Sequence, residues 1–120
     1  GLVGSEMCIR DRLKVPLQLH THYTSGMASM AVLKAAEAGV DMVDTCLAPF
    51  ALRADQPAIE PLVVTLQGTK RDTGLNLPQL LEIGSHFERV APRYRDYVDN
   101  PKFATIDTNV LMNQVPGGMI

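Results

Sequence analysis

The chain has 120 residues, 46% hydrophobic and 20% charged, with a formal net charge of −2, which is one domain's worth of ordinary globular composition. Its 11 scattered Lys and Arg residues argue against a nucleic-acid platform, which needs a basic stripe. No apolar run reaches the ~18 residues of a transmembrane helix. The cysteines, Cys8 and Cys46 alone, cannot build a disulfide framework or a cysteine zinc site, a usage that suits a reducing cytoplasm.

Residues 1–12 (GLVGSEMCIRDR) have neither helical nor strand periodicity and lack the basic start and apolar stretch of a signal peptide. The string looks like translated sequencing-adapter read-through and is expected to stand outside the fold. A genuine flexible leader is the alternative. From residue 13 the chain alternates strand and helix. Residues 15–22 (VPLQLHTH) read as a strand. Thr24, Ser25 and Gly26 form a loop, with Ser25 as helix N-cap. Residues 27–38 are rich in Ala, Met and Leu and read as a helix closed by Gly39. Residues 40–46 (VDMVDTC) read as a second strand. The whole unit takes about thirty residues, the size of a right-handed parallel crossover.

Pro57 suits the start of a helix whose apolar face is Ile59, Leu62, Val63 and Leu66. Pro61 is tolerable only in its first turn, and Gly68 ends it. Val63, Val64 and Thr65 keep a strand reading open. Asn76 and Gln79 resemble a capping box for a further helix with the stripe Leu80, Ile83, Phe87, Val90, stopped by Pro92. A short helix over 93–98 is broken by Asn100 and Pro101. Val110, Leu111 and Met112 form a short apolar run, and Pro116-Gly117-Gly118 is a turn.

His20 and His22 lie two apart at the C-terminal end of a strand, so both side chains point to one face and can share a metal ion. Strand C-termini are where active sites sit in parallel α/β proteins. Two solvated or core histidines is the plainer alternative. Asp44, at the end of the next strand, can face the same mouth or cap a loop. Asp55 and Gln56 precede a helix N-terminus and can meet an anion or serve as caps. Cys46 reads as a structural thiol with no base beside it. Met27, Met30 and Met42 read as core. Lys70, Arg71, Arg89, Arg93 and Arg95 read as a solvated surface. Gly117-Gly118 is a weak phosphate-loop signal without the lysine and hydroxyl that should follow.

Residues 19–26 (LHTHYTSG) and 37–44 (EAGVDMVD) closely resemble the carboxyltransferase domain of biotin-dependent enzymes, the domain found in oxaloacetate decarboxylase and pyruvate carboxylase. The likeness continues through Gln56-Pro57, residues 65–69 (TLQGT), the helical stretch 83–97, Asp107-Thr108-Asn109 and Pro116-Gly117-Gly118. It departs at Asn113, where the family often has His, and at Asp55, where Ser is commoner. HxH by itself is shared with a wider class of metallolyase barrels.

The resemblance implies an α/β chain forming part of a (β/α)8 TIM barrel. Residues 13–69 would be its last two β/α units, and 70–120 the start of a helical funnel extension. A complete barrel takes about 250 residues, so most of it is not covered. In the family a divalent metal is held by an Asp of the first strand, a carbamylated Lys of a middle strand and the HxH pair; imidazole ligands suit zinc first, or cobalt or manganese. Only the pair matches here, as His20 and His22, and Asp44 and Gln56 would line the substrate or cofactor mouth. The Arg and Gln that grip substrate belong to early strands. The catalytic Thr or Ser would lie beyond Ile120.

The implied activity of the complete parent moves a carboxyl group between carboxybiotin and pyruvate or oxaloacetate, with biotin on a separate carrier domain. The implied setting is a cytoplasmic homo-oligomer. The isolated chain is expected to be inactive. Another HxH lyase or synthase, acting on acyl-CoA by aldol-type chemistry, is the rival reading.

Overall fold

The structure is a computed structural model and describes residues 12–98 and 105–112. Strand β1 (Gln18–Leu19) pairs in parallel with β2 (Met42–Val43), in the register Gln18 to Met42 and Leu19 to Val43. Helix α1 (Ala28–Ala38) makes the crossover between them. A further parallel bridge joins Cys46 to Ala58, through Cys46 N–H to Pro57 carbonyl and Ile59 N–H to Cys46 carbonyl, each 3.0 Å. The chain therefore runs strand, helix, strand, bridge, and then helix α2 (Ile59–Leu66). This is the expected α/β alternation.

The two ladders are shorter than the apolar runs that carry them. Pro16 has no N–H to donate, and among the described residues no strand pairs with the other edge of β1. Asp41 lengthens the contact by another route, its Oδ2 accepting the Leu17 N–H at 2.8 Å.

Helix α1 buries Ala28, Val32, Ala35 and Ala36, a stripe whose small side chains let the helix lie close on the strands. Leu19, Val40, Leu62 and Leu66 complete that core, with Leu17, Leu33, Val43 and Ile59 packed on its rim. Leu62→Ala is expected to lower unfolding stability by about 2–4 kcal/mol, read from the urea midpoint. Gly39 takes the left-handed conformation, φ 107°, and its N–H closes on the carbonyls of Ala35 and Ala36.

Two expectations are corrected. The residue before α1 is Met27, with no side-chain cap, so Ser25 is not the cap. Met27, Met30 and Met42 are 44%, 55% and 46% exposed and do not enter the core. The alanine stripe faces the strands, which leaves Met30 on the opposite side of α1. Helix α2 stops at Leu66 with Gln67 as its C-cap, and Gly68 turns the chain away with φ 76°, as expected.

Pro61 does sit in the first turn of α2. Helix α3 (Leu77–Val90) starts as expected: the Asn76 side chain accepts the Gln79 N–H at 3.0 Å. Of its stripe, Leu80, Phe87 and Val90 are half-buried, while Ile83 is 43% exposed. A 3₁₀ turn over Ala91–Tyr94, with Pro92 inside it, and then helix α4 (Arg95–Val98) follow α3. Another 3₁₀ turn, Thr108–Leu111, takes up the Val110–Leu111 run. It is anchored by the Asp107 N–H, which donates to the Thr24 carbonyl at 2.9 Å. A side chain at Gly26 would come within 2.8 Å of Ile106, so glycine is needed there for space as well as for its φ of 81°. Residues 1–11, Asn100, Pro101, Asn113 and the Pro116-Gly117-Gly118 turn lie outside the described residues.

Candidate metal-ligand pair at the strand ends

His20 follows β1 directly, and His22 comes two residues later. Their rings meet edge to face, centroids 4.9 Å apart, with the two Nε2 atoms 3.1 Å from each other. The two imidazoles therefore do lie on one side, beside a strand parallel to β2.

Each ring is held at its other nitrogen. His20 Nδ1 donates to the Asp44 carboxylate at 2.8 Å, and that carboxylate also accepts from the Gln18 amide at 2.6 Å. His22 Nδ1 donates to the Ala54 carbonyl at 2.5 Å. A carboxylate and a carbonyl can only accept, so both Nδ1 atoms carry the proton. In neutral rings this leaves a lone pair on each Nε2, and two lone pairs 3.1 Å apart cannot bond to each other. A cation placed between them would meet both lone pairs.

A zinc ion bonded to both nitrogens at about 2.0–2.1 Å would separate them by roughly 3.0–3.4 Å. The pair thus fits a shared metal in donor type, tautomer and spacing. Among the described residues no group of three or more His, Cys, Asp or Glu side chains is arranged to hold an ion, so the rest of a shell is not formed here.

Asp44 stands below the ordinary carboxylate pKa range, first because His20 donates to it and then because Gln18 does. It is therefore held as an anion against His20. Gln56 is the second expected mouth residue brought in: its amide nitrogen is 3.5 Å from His20 Nε2. The Cys46 thiol is pushed up in pKa by burial first and then by the Asp55 and Glu60 carboxylates. That disfavours the thiolate and suits a structural thiol.

The loop supplying the Ala54 carbonyl has no counterpart among the sequence expectations. It follows a 3₁₀ turn, Ala48–Phe50, and passes through Leu52 (φ 73°) and Arg53 (φ 56°), both left-handed. The Leu52 N–H to Gln56 carbonyl bond (2.9 Å), the Asp55 N–H to Leu52 carbonyl bond (2.8 Å) and the Tyr23 N–H to Asp55 carbonyl bond (2.8 Å) close it over the histidines.

Comparison with known proteins finds relatives over nearly the whole chain. Residues 6–86 match the HMGL-like family. A pyruvate carboxylase subunit of Methanocaldococcus jannaschii is 45% identical over 93% of this chain and 20% of its own length. The 2-oxoglutarate carboxylase large subunit of Hydrogenobacter thermophilus is 38% identical over 89% of the chain and 16% of its own. The carboxyl transferase domain of Rhizobium etli pyruvate carboxylase, solved with pyruvate, superposes with a TM-score of 0.86 at 30% identity, over 96% of this chain and 19% of that one. The chain spans about a fifth of the length of these relatives. On the family match over residues 6–86 and the likeness to carboxyltransferases over nearly its whole length, the chain belongs to the HMGL-like family.

Proposed function

We propose that this chain is the HxH part of a biotin-dependent carboxyltransferase that moves a carboxyl group between carboxybiotin and pyruvate, or decarboxylates oxaloacetate in reverse. The observation that carries this reading is the convergence of His20 Nε2 and His22 Nε2, each ring oriented by an acceptor at Nδ1. The relatives support the substrate class, since their names specify pyruvate and 2-oxoglutarate, both 2-oxo acids. In this reading residues 13–69 are the last β/α units of a (β/α)8 barrel, and 70–120 begin the funnel extension. His20 and His22 would hold a divalent cation, which when bound would supply Lewis acidity for a 2-oxo acid.

The chain's own residues then have distinct tasks. Asp44 and the Ala54 carbonyl hold the protons on Nδ1, which turns both Nε2 lone pairs to the same point. Gln18 keeps Asp44 in place. Gln56 offers an amide N–H beside His20, where it can donate to a substrate oxygen. A biotin carrier domain, a homo-oligomeric parent and a cytoplasmic setting complete the proposal. Among the described residues no helix is long and apolar enough to cross a membrane.

The test is a graft of residues 13–120 in place of the matching stretch of the M. jannaschii protein. Metal-dependent loss of oxaloacetate is expected. Aldol-type cleavage of an acyl-CoA, with oxaloacetate untouched, would favour the rival HxH lyase. The 120-residue chain alone is expected to be inactive and to bind zinc weakly, because two imidazoles are a partial shell. Equilibrium dialysis checks this, and a stoichiometric site much tighter than micromolar would contradict it.

A further inference from the structure

We propose that Glu60 is a positioning residue for His22, acting through the 3₁₀ turn at Ala48 and the strained loop that ends in the Ala54 carbonyl. Leu52 and Arg53 stand consecutively in the left-handed region, with φ of 73° and 56°. Such residues persist only where their surroundings over-determine them. The start of this segment is held by Glu60, a buried carboxylate in the first turn of α2. Both of its oxygens accept the Ala48 N–H, at 3.0 and 3.1 Å.

Helix α3 closes the other side. Its one buried residue among those described is Gly84, where an added Cβ would lie 3.5 Å from Glu60 Oε1. Phe50, at the end of the same 3₁₀ turn, packs edge to face on Phe87 (6.0 Å) and Tyr94 (6.4 Å). The turn is thus clamped between a buried carboxylate on α2 and an aromatic cluster on the extension. Four residues beyond Phe50 the chain delivers the Ala54 carbonyl to His22. His20 takes its acceptor from Asp44, just past β2, so it does not share this route.

That split supplies the test. The inference rests on the ligand-pair reading only for its consequence, because the tautomer of His22 can be read without metal. Nitrogen-15 NMR of the imidazoles in the full 120-residue chain is expected to show both His20 and His22 as Nδ1–H. Glu60→Ala should convert His22 to a mixture of tautomers and leave His20 unchanged. Glu60→Gln keeps an acceptor for the Ala48 N–H and should restore the His22 signal. Folded Glu60→Ala with His22 still wholly Nδ1–H overturns the proposal. If Glu60→Ala does not fold, Phe50→Ala decides, since it loosens the same turn from the α3 side. His22 altered with His20 intact supports the proposal, and His22 unaltered, or both rings altered together, overturns it. Failure here leaves the ligand-pair reading standing. Failure of that reading would appear instead as metal binding indifferent to both histidines.

Discussion

In the restored enzyme, His20→Ala or His22→Ala is expected to lower oxaloacetate turnover by at least about a hundredfold, with metal content falling in parallel. Either change removes one of the two imidazoles from the shell, so the ion is lost or misplaced. Each also strands an acceptor, the Asp44 carboxylate in one case and the Ala54 carbonyl in the other. Cys46→Ser is the control and should have a modest effect, because the thiol is partly buried and its ionisation is disfavoured. Turnover and metal content measured together separate loss of the ion from a general loss of folded protein.

Asp44→Ala is expected to weaken metal binding by about 10–100-fold, the range for partners that orient an imidazole ligand. Without the carboxylate, His20 is free to move its proton to Nε2 and lose the lone pair that faces His22. Asp44→Asn retains an oxygen that can accept from Nδ1 and should fall between wild type and alanine. The residual gap measures the value of the negative charge, which Asp44 keeps firmly because His20 and Gln18 both donate to it. Competition against a chromogenic chelator reads these affinities.

Much of this site is legible in the sequence. The i, i+2 spacing at a strand end places His20 and His22 on one side, and the crossover length makes the next strand parallel, which brings Asp44 alongside. Gln56 is legible from spacing as a residue before a helix and from the family resemblance as a mouth residue, and the Cys46–Ala58 bridge lies beside the segment that brings it to His20. The Ala54 carbonyl is silent in the sequence: a backbone acceptor has no side-chain signature, and neither Leu52 nor Arg53 advertises a left-handed turn. Glu60 looks like an acid favoured at a helix N-terminus, yet it bonds the Ala48 N–H twelve residues back. The methionines mislead because apolar character marks a residue for burial without saying which face of α1 meets the strands. Pairing length is illegible for a related reason, since a ladder depends on the neighbouring strand as well as on the run itself.

The central claim is that His20 Nε2 and His22 Nε2 share one divalent ion. X-ray absorption at the zinc edge of the metal-loaded graft tests it most directly, compared with the His20→Ala and His22→Ala variants. Two imidazole ligands in the parent graft, with one lost or the metal absent in each variant, is the expected result. A full zinc complement whose spectrum contains no imidazole, or is unchanged by both substitutions, would contradict it.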